Sequence, residues 1–71
     1  MEAELWGRRI RAFRKLKGFT QAELAKSIDV SLSVLGEIER GNRMPTEAII
    51  QRISETLGVS VDEMLEFNKE S

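Results

Sequence analysis

The sequence predicts an all-α chain, a compact bundle of five short helices. Three observations carry that expectation. Apolar residues recur at three- and four-residue intervals. No segment alternates apolar and polar residues as a half-buried strand does. Glycines, a single proline and hydroxyl-led helix starts cut the 71 residues into five pieces.

The first piece places Trp6, Ile10 and Phe13 at i, i+4 and i+7, with Leu5 and Leu16 beside them as one apolar stripe. Arg8, Arg11 and Lys15 fall on the opposite face, and Gly18 is positioned to end the helix in a left-handed conformation. The second piece opens with Thr20-Gln21-Ala22-Glu23. This spacing lets the Thr20 hydroxyl accept from the Glu23 amide while the Glu23 carboxylate reaches back. Leu24, Ala25 and Ile28 form its buried side. Ile28-Asp29-Val30 leaves room only for a tight turn, in which Asp29 can go left-handed at low cost.

Ser31 caps the third piece, Leu32 to Arg40, with Leu35 and Ile38 inward, Val34 alongside and Gly41 as terminator. Asn42-Arg43-Met44-Pro45 reads as a loop, because proline cannot continue a helix. Thr46 caps the fourth piece, whose Ile50, Ile53 and Leu57 face the core, and Gly58 closes it. Ser60-Val61-Asp62-Glu63 repeats the reciprocal cap and opens a short fifth helix. Val61, Met64 and Leu65 are expected inward there, with Phe67 extending the face. The expected helix lengths are roughly 8–16 residues. Residues 1–67 are read as one domain and 68–71 as a frayed polar tail.

Composition narrows the chemistry. The chain has no cysteine and no histidine, so disulfides, thiolate or imidazole metal sites and the commonest general base are all missing. The carboxylates Glu37, Glu39, Glu55, Asp62, Glu63 and Glu66 fall at caps or on solvated faces. No glycine-rich phosphate loop and no metal-ligand spacing occurs. No catalytic role, metal or cofactor is expected. No run of about 18 apolar residues is present, and the early acids Glu2 and Glu4 do not suit a secretory signal, so a cytoplasmic protein is expected. The net charge of −1 conceals an imbalance. Residues 1–17 carry six basic and two acidic residues (+4), whereas residues 18–71 carry five basic and ten acidic ones (−5). Attraction for a polyanion depends on the local field at such a patch more than on the total.

The informative unit is residues 20–40: a capped helix of two turns, a turn of about three residues, and a second capped helix. Leu24, Ala25, Val30, Leu35 and Ile38 would hold the two crossed. That is the helix-turn-helix arrangement, in which the second helix enters the major groove. Gln21-Ala22-Glu23-Leu24-Ala25, Val30-Ser31, Ile38-Glu39-Arg40-Gly41, Pro45 and Leu57-Gly58-Val59-Ser60-Val61-Asp62-Glu63-Met64-Leu65 together resemble the phage repressor (Cro/C1, XRE) family, from about Leu5 to Leu65. The joint spacing of these motifs is highly specific.

The resemblance implies a lambda-repressor-like fold and a sequence-specific DNA-binding transcriptional regulator, most commonly a repressor. Gln21 stands where relatives hold a phosphate or buttress a base contact, at an anion-binding helix N-terminus. Ser31, Leu32, Ser33 and Glu37 take the groove-facing positions of the third helix. Asn42 and Arg43 fall in the loop that touches the sugar–phosphate backbone. Arg14 and Glu39 match an internal salt bridge that joins the first and third helices and orients the reading helix. Relatives bind palindromic operators as two-fold dimers, which makes double-stranded DNA and a second copy the implied partners. Ile49, Met64 and Phe67 are the candidate dimer residues. A prokaryotic or phage cytoplasm is the implied setting, with no small-molecule ligand domain.

The departures from the family pattern are informative. Many relatives carry Arg, Gln or Lys where this chain has Leu32 and Glu37. Leucine can meet a thymine methyl and glutamate can accept from cytosine N4, but glutamate also repels phosphate. Gly36 costs a helix up to about 1 kcal/mol relative to alanine. It either admits a close backbone approach to DNA or has no role there. Asp29 replaces a usual glycine, Glu47 a usual apolar residue and Ile49 a usual polar one. The acidic, apolar third helix and the pI near 5.4 motivate an alternative: an antitoxin-like module that keeps the fold and binds a protein partner.

Overall fold

The computed structural model describes residues 2–66. Its five helices are α1 (Glu2–Leu16), α2 (Gln21–Ser27), α3 (Leu32–Glu39), α4 (Glu47–Leu57) and α5 (Val61–Glu66), with no strand among the described residues. The expectation of an all-helical bundle holds. Helices α2 and α5 are shorter than expected, at 7 and 6 residues. The caps that open them and the turns that close them lie too near each other for a longer run.

Local signals account for the helix ends. The reciprocal cap at α2 is formed: the Thr20 amide donates to Glu23 Oε1 at 2.8 Å, and the Glu23 amide donates to Thr20 Oγ1 at 3.0 Å. Ser60 and Glu63 repeat it at α5, both bonds at 3.0 Å. The Ser31 hydroxyl accepts from the Val34 amide and the Thr46 hydroxyl from the Ile49 amide, each at 3.1 Å. Each such cap satisfies a backbone donor that a helix start leaves orphaned and contributes about 1 kcal/mol. At Asp29, φ is 61°, so the turn between α2 and α3 bends through a left-handed aspartate as expected.

One core runs through all five helices. Ile10, Leu24, Ile28, Leu35, Ile38, Ile53 and Met64 are fully buried within it, joined by Trp6, Ala25, Leu57 and Val59. Phe13, Val30, Val34, Ile49, Ile50 and Val61 pack on its rim. Three expectations fail. Leu5 and Leu16 are not part of the α1 stripe; they are exposed, Leu16 by 73%. Leu65 is 48% exposed, so α5 turns only Met64 and Val61 inward. The physical reason is the narrowness of a helix's contact face: a five-helix bundle this small covers only one side of α1 and α5. Phe67 and the tail 68–71 lie outside the described residues.

Helix α3 packs on both α1 and α2. Its contact with α1 has a feature that the sequence reading missed. A Cβ on Gly7 would stand 2.5 Å from the Ile38 carbonyl oxygen and 2.7 Å from that of Glu39, so α1 meets the end of α3 backbone to backbone. Any side chain at Gly7 would push the two helices apart. No helix among the described residues is long and apolar enough to cross a membrane.

Candidate nucleic-acid interface

The outer surface of α3 is presented by its inner one. Leu35, Ile38 and Glu39 are buried against α1 and α2. Given 3.6 residues per turn, Ser33, Glu37 and Arg40 then fall on the outer half, with Gly36, itself buried, at its edge. Ser31, Leu32 and Ser33 are exposed and Glu37 is half-buried. Leu32, 52% exposed, is a large apolar side chain held open to solvent at the first position of the helix. Asn42 and Arg43 are exposed in the loop that follows.

Beneath this surface lies a polar clamp. The Arg14 Nε donates to Glu39 Oε2 at 2.7 Å, and its Nη2 donates to Oε1 at 3.1 Å, a two-point fork between α1 and α3. The Arg14 Nη1 donates to the Phe19 carbonyl at 2.9 Å. The Gln21 amide nitrogen donates to Glu39 Oε1 at 3.1 Å and draws the start of α2 into the same cluster. The two charged side chains retain 10% and 3% of their exposure. Among the described residues, no buried side-chain polar atom lacks a partner, so the clamp avoids the cost of an unsatisfied buried charge. The resemblance suggested the Arg14–Glu39 partnership. The Gln21 bond to it had no signal in the sequence, because it depends on where the first turn of α2 comes to rest.

The outer surface has an ion pair of its own. The Arg43 Nε donates to Glu37 Oε1 at 2.7 Å, and the two side chains are 53% and 40% exposed. The two residues expected to meet DNA on opposite terms, one attracted to phosphate and one repelled, are therefore joined to each other. A further arginine, Arg52 on α4, donates from Nη1 to the Ile28 carbonyl at 3.2 Å and closes the end of α2. A basic group at a helix C-terminus complements the dipole. Arg8, Arg11 and Lys15 are exposed along α1.

The three dimer candidates separate. Met64 is fully buried in the core, so its assignment to a surface is corrected; periodicity alone cannot tell a core methionine from one at an interface. Ile49 is half-buried and packs against the core. Phe67 lies outside the described residues. No group of three or more acidic residues is placed to hold a metal ion among the described residues.

Comparison with known proteins agrees with this architecture. The family model described as Helix-turn-helix (HTH_3) matches residues 10–64. The chain is 64% identical over 64 residues to the uncharacterized HTH-type transcriptional regulator YazB of Bacillus subtilis (strain 168), covering 90% of this chain and 93% of that protein. Further curated relatives are longer, and the chain spans 11–60% of their length. Among solved structures, the clp gene regulator ClgR of Corynebacterium glutamicum superposes with a TM-score of 0.89 at 35% identity, over 92% of this chain and 69% of that one. The restriction-modification controller protein C.AhdI of Aeromonas hydrophila gives 0.82 at 28% identity, over 89% and 96%. On the match across residues 10–64 and on the likeness to YazB, the chain belongs to the helix-turn-helix family of phage-repressor (Cro/C1, XRE) type, a family of DNA-binding transcriptional regulators.

Proposed function

We propose that the protein acts by occupancy, as a repressor that seats α3 in the major groove of a palindromic operator. The observation that carries this reading is the mounting of α3. Its inner face is fixed by core residues and by the Arg14–Glu39–Gln21 clamp, while Ser31, Leu32, Ser33 and Glu37 face outward. Asn42 and Arg43 then lie beside the helix for sugar–phosphate contacts. Glu37 would accept from cytosine N4 and Leu32 would meet a thymine methyl.

Size argues for two copies. The molecule measures 32 × 24 × 20 Å, while successive major grooves on one side of a duplex lie about 34–36 Å apart. A single copy carries one reading helix and cannot span both half-sites. Of the candidate dimer residues described, Ile49 alone keeps some surface. A bacterial or phage cytoplasm is the proposed setting.

The test is selection from a random duplex pool by the purified chain at two salt concentrations. Enrichment of a palindrome, with affinity falling steeply as salt rises, is the expected result. Failure to enrich any sequence at low salt would overturn the proposal and favour the alternative, a module that binds a protein partner through exposed Leu32.

A further inference from the structure

The third helix carries a glycine that its fold does not need. Gly36 sits in mid-helix with an ordinary helical backbone, where glycine is unfavourable. Unlike Gly7, it faces no neighbouring helix. A Cβ there would meet one group only, the Arg40 guanidinium, with Nη1 at 3.0 Å, Cζ at 3.8 Å and Nη2 at 3.9 Å. Gly36 is nevertheless buried, while Arg40 is exposed. The arginine therefore lies back along the outer face of α3, and its charged end covers the spot that a side chain at position 36 would fill. Long side chains on a helix do lean toward its N-terminus, over the preceding turn.

The other arginines near this surface are engaged. Arg14 is bound to Glu39, and Arg43 to Glu37. With Glu37 taken by Arg43, the Arg40 guanidinium has no hydrogen-bond or ion-pair partner among the described residues. Its backbone closes α3, but its guanidinium lies back over Gly36, at mid-helix and at the edge of the outer face. An unpaired, planar five-donor group in that place suits the O6 and N7 acceptors of guanine.

We infer that Arg40 is a base-reading residue, directed at a guanine in the major groove, and that Gly36 is the seat that lets its guanidinium lie there. The inference rests on the DNA reading proposed above and changes its content: the reading surface is no longer only apolar and acidic.

The test uses the operator selected by the wild-type chain, with each G·C pair of a half-site replaced in turn by A·T. Arg40→Ala and Arg40→Lys should lose discrimination at one such pair, by about 5- to 150-fold, while keeping it elsewhere. Their thermal unfolding should stay close to wild type, since the side chain is exposed. Gly36→Ala should melt higher, yet weaken the preference at that same pair. A uniform loss across all duplexes, with a shallower salt dependence, would make Arg40 a phosphate contact and overturn the inference. So would unchanged discrimination by the Arg40 variants, or a Gly36→Ala chain that keeps the full preference. A wild-type chain that selects no sequence would sink the DNA reading and this inference together; a selective wild type with equally selective Arg40 variants would sink this inference alone.

Discussion

Two arginine–glutamate pairs serve α3, and both close at 2.7 Å. One joins Arg14 to Glu39 beneath the helix; the other joins Arg43 to Glu37 on its outer side. Their distances are the same and their physical meanings differ. The inner pair is nearly stripped of water, with three hydrogen bonds converging on its carboxylate, from Arg14 twice and Gln21 once. The outer pair is about half in solvent, where water and salt compete with each partner for the other. Burial, rather than separation, makes the first a structural fixture and the second a contact open to competition from solvent ions.

The contrast can be broken most sharply from the inside. Glu39→Gln should destabilise the fold by about 3–5 kcal/mol, because Arg14 is left charged and uncompensated. A chain of this size should then melt at least about 12 °C lower, read by circular dichroism. Replacing both partners, Arg14→Met with Glu39→Leu, should regain much of that loss yet leave operator affinity impaired. Full recovery of both stability and binding would show that the clamp does not position α3.

Gly7→Ala is the next largest. Alanine favours a helix by about 1 kcal/mol over glycine, but here its methyl would collide with two carbonyl oxygens, so a net cost of about 1–3 kcal/mol is expected in urea unfolding. A stabilised variant would mean that α1 and α3 can separate freely. On the outer side, Arg43→Ala should change stability by no more than about 1 kcal/mol. It should also lower the slope of log affinity against log salt by about 0.9, as one phosphate contact goes. Smallest of all, Glu37→Gln should leave stability within about 0.5 kcal/mol and raise affinity for unselected duplexes in a low-salt titration, since it frees Arg43 and removes a charge that repels phosphate. A fall in that affinity would count against the exchange of carboxylate for phosphate.

The caps and left-handed turns were legible in the sequence because each depends on two to four neighbouring residues. Thr20 with Glu23, Ser60 with Glu63, Gly18, Asp29, Gly41 and Gly58 all adopt the conformations their chemistry suggests. The apolar stripes were legible in their centres, at Ile10, Leu24, Leu35 and Ile53, and failed at their edges, at Leu5, Leu16 and Leu65. Periodicity gives the direction of a helix face but not the width of what covers it. The same limit turned Met64 from a surface candidate into a core residue. Gly7 was hidden for another reason, and Gly36 stood out only as a helix cost with two open readings. A missing side chain leaves no pattern, and its role appears only once the carbonyls of α3 or the guanidinium of Arg40 are seen lying against it.

The backbone contact at Gly7 also bears on the partner's shape. With α1 and the end of α3 touching backbone to backbone at Gly7 and forked together by Arg14 and Glu39, α3 has little room to be re-aimed. If two copies bind at a fixed spacing as proposed, the duplex between them would have to supply the compliance. Stretches that bend or twist readily would then be favoured over stiff ones at base pairs that no residue touches. Part of the operator's identity would be written in its elasticity.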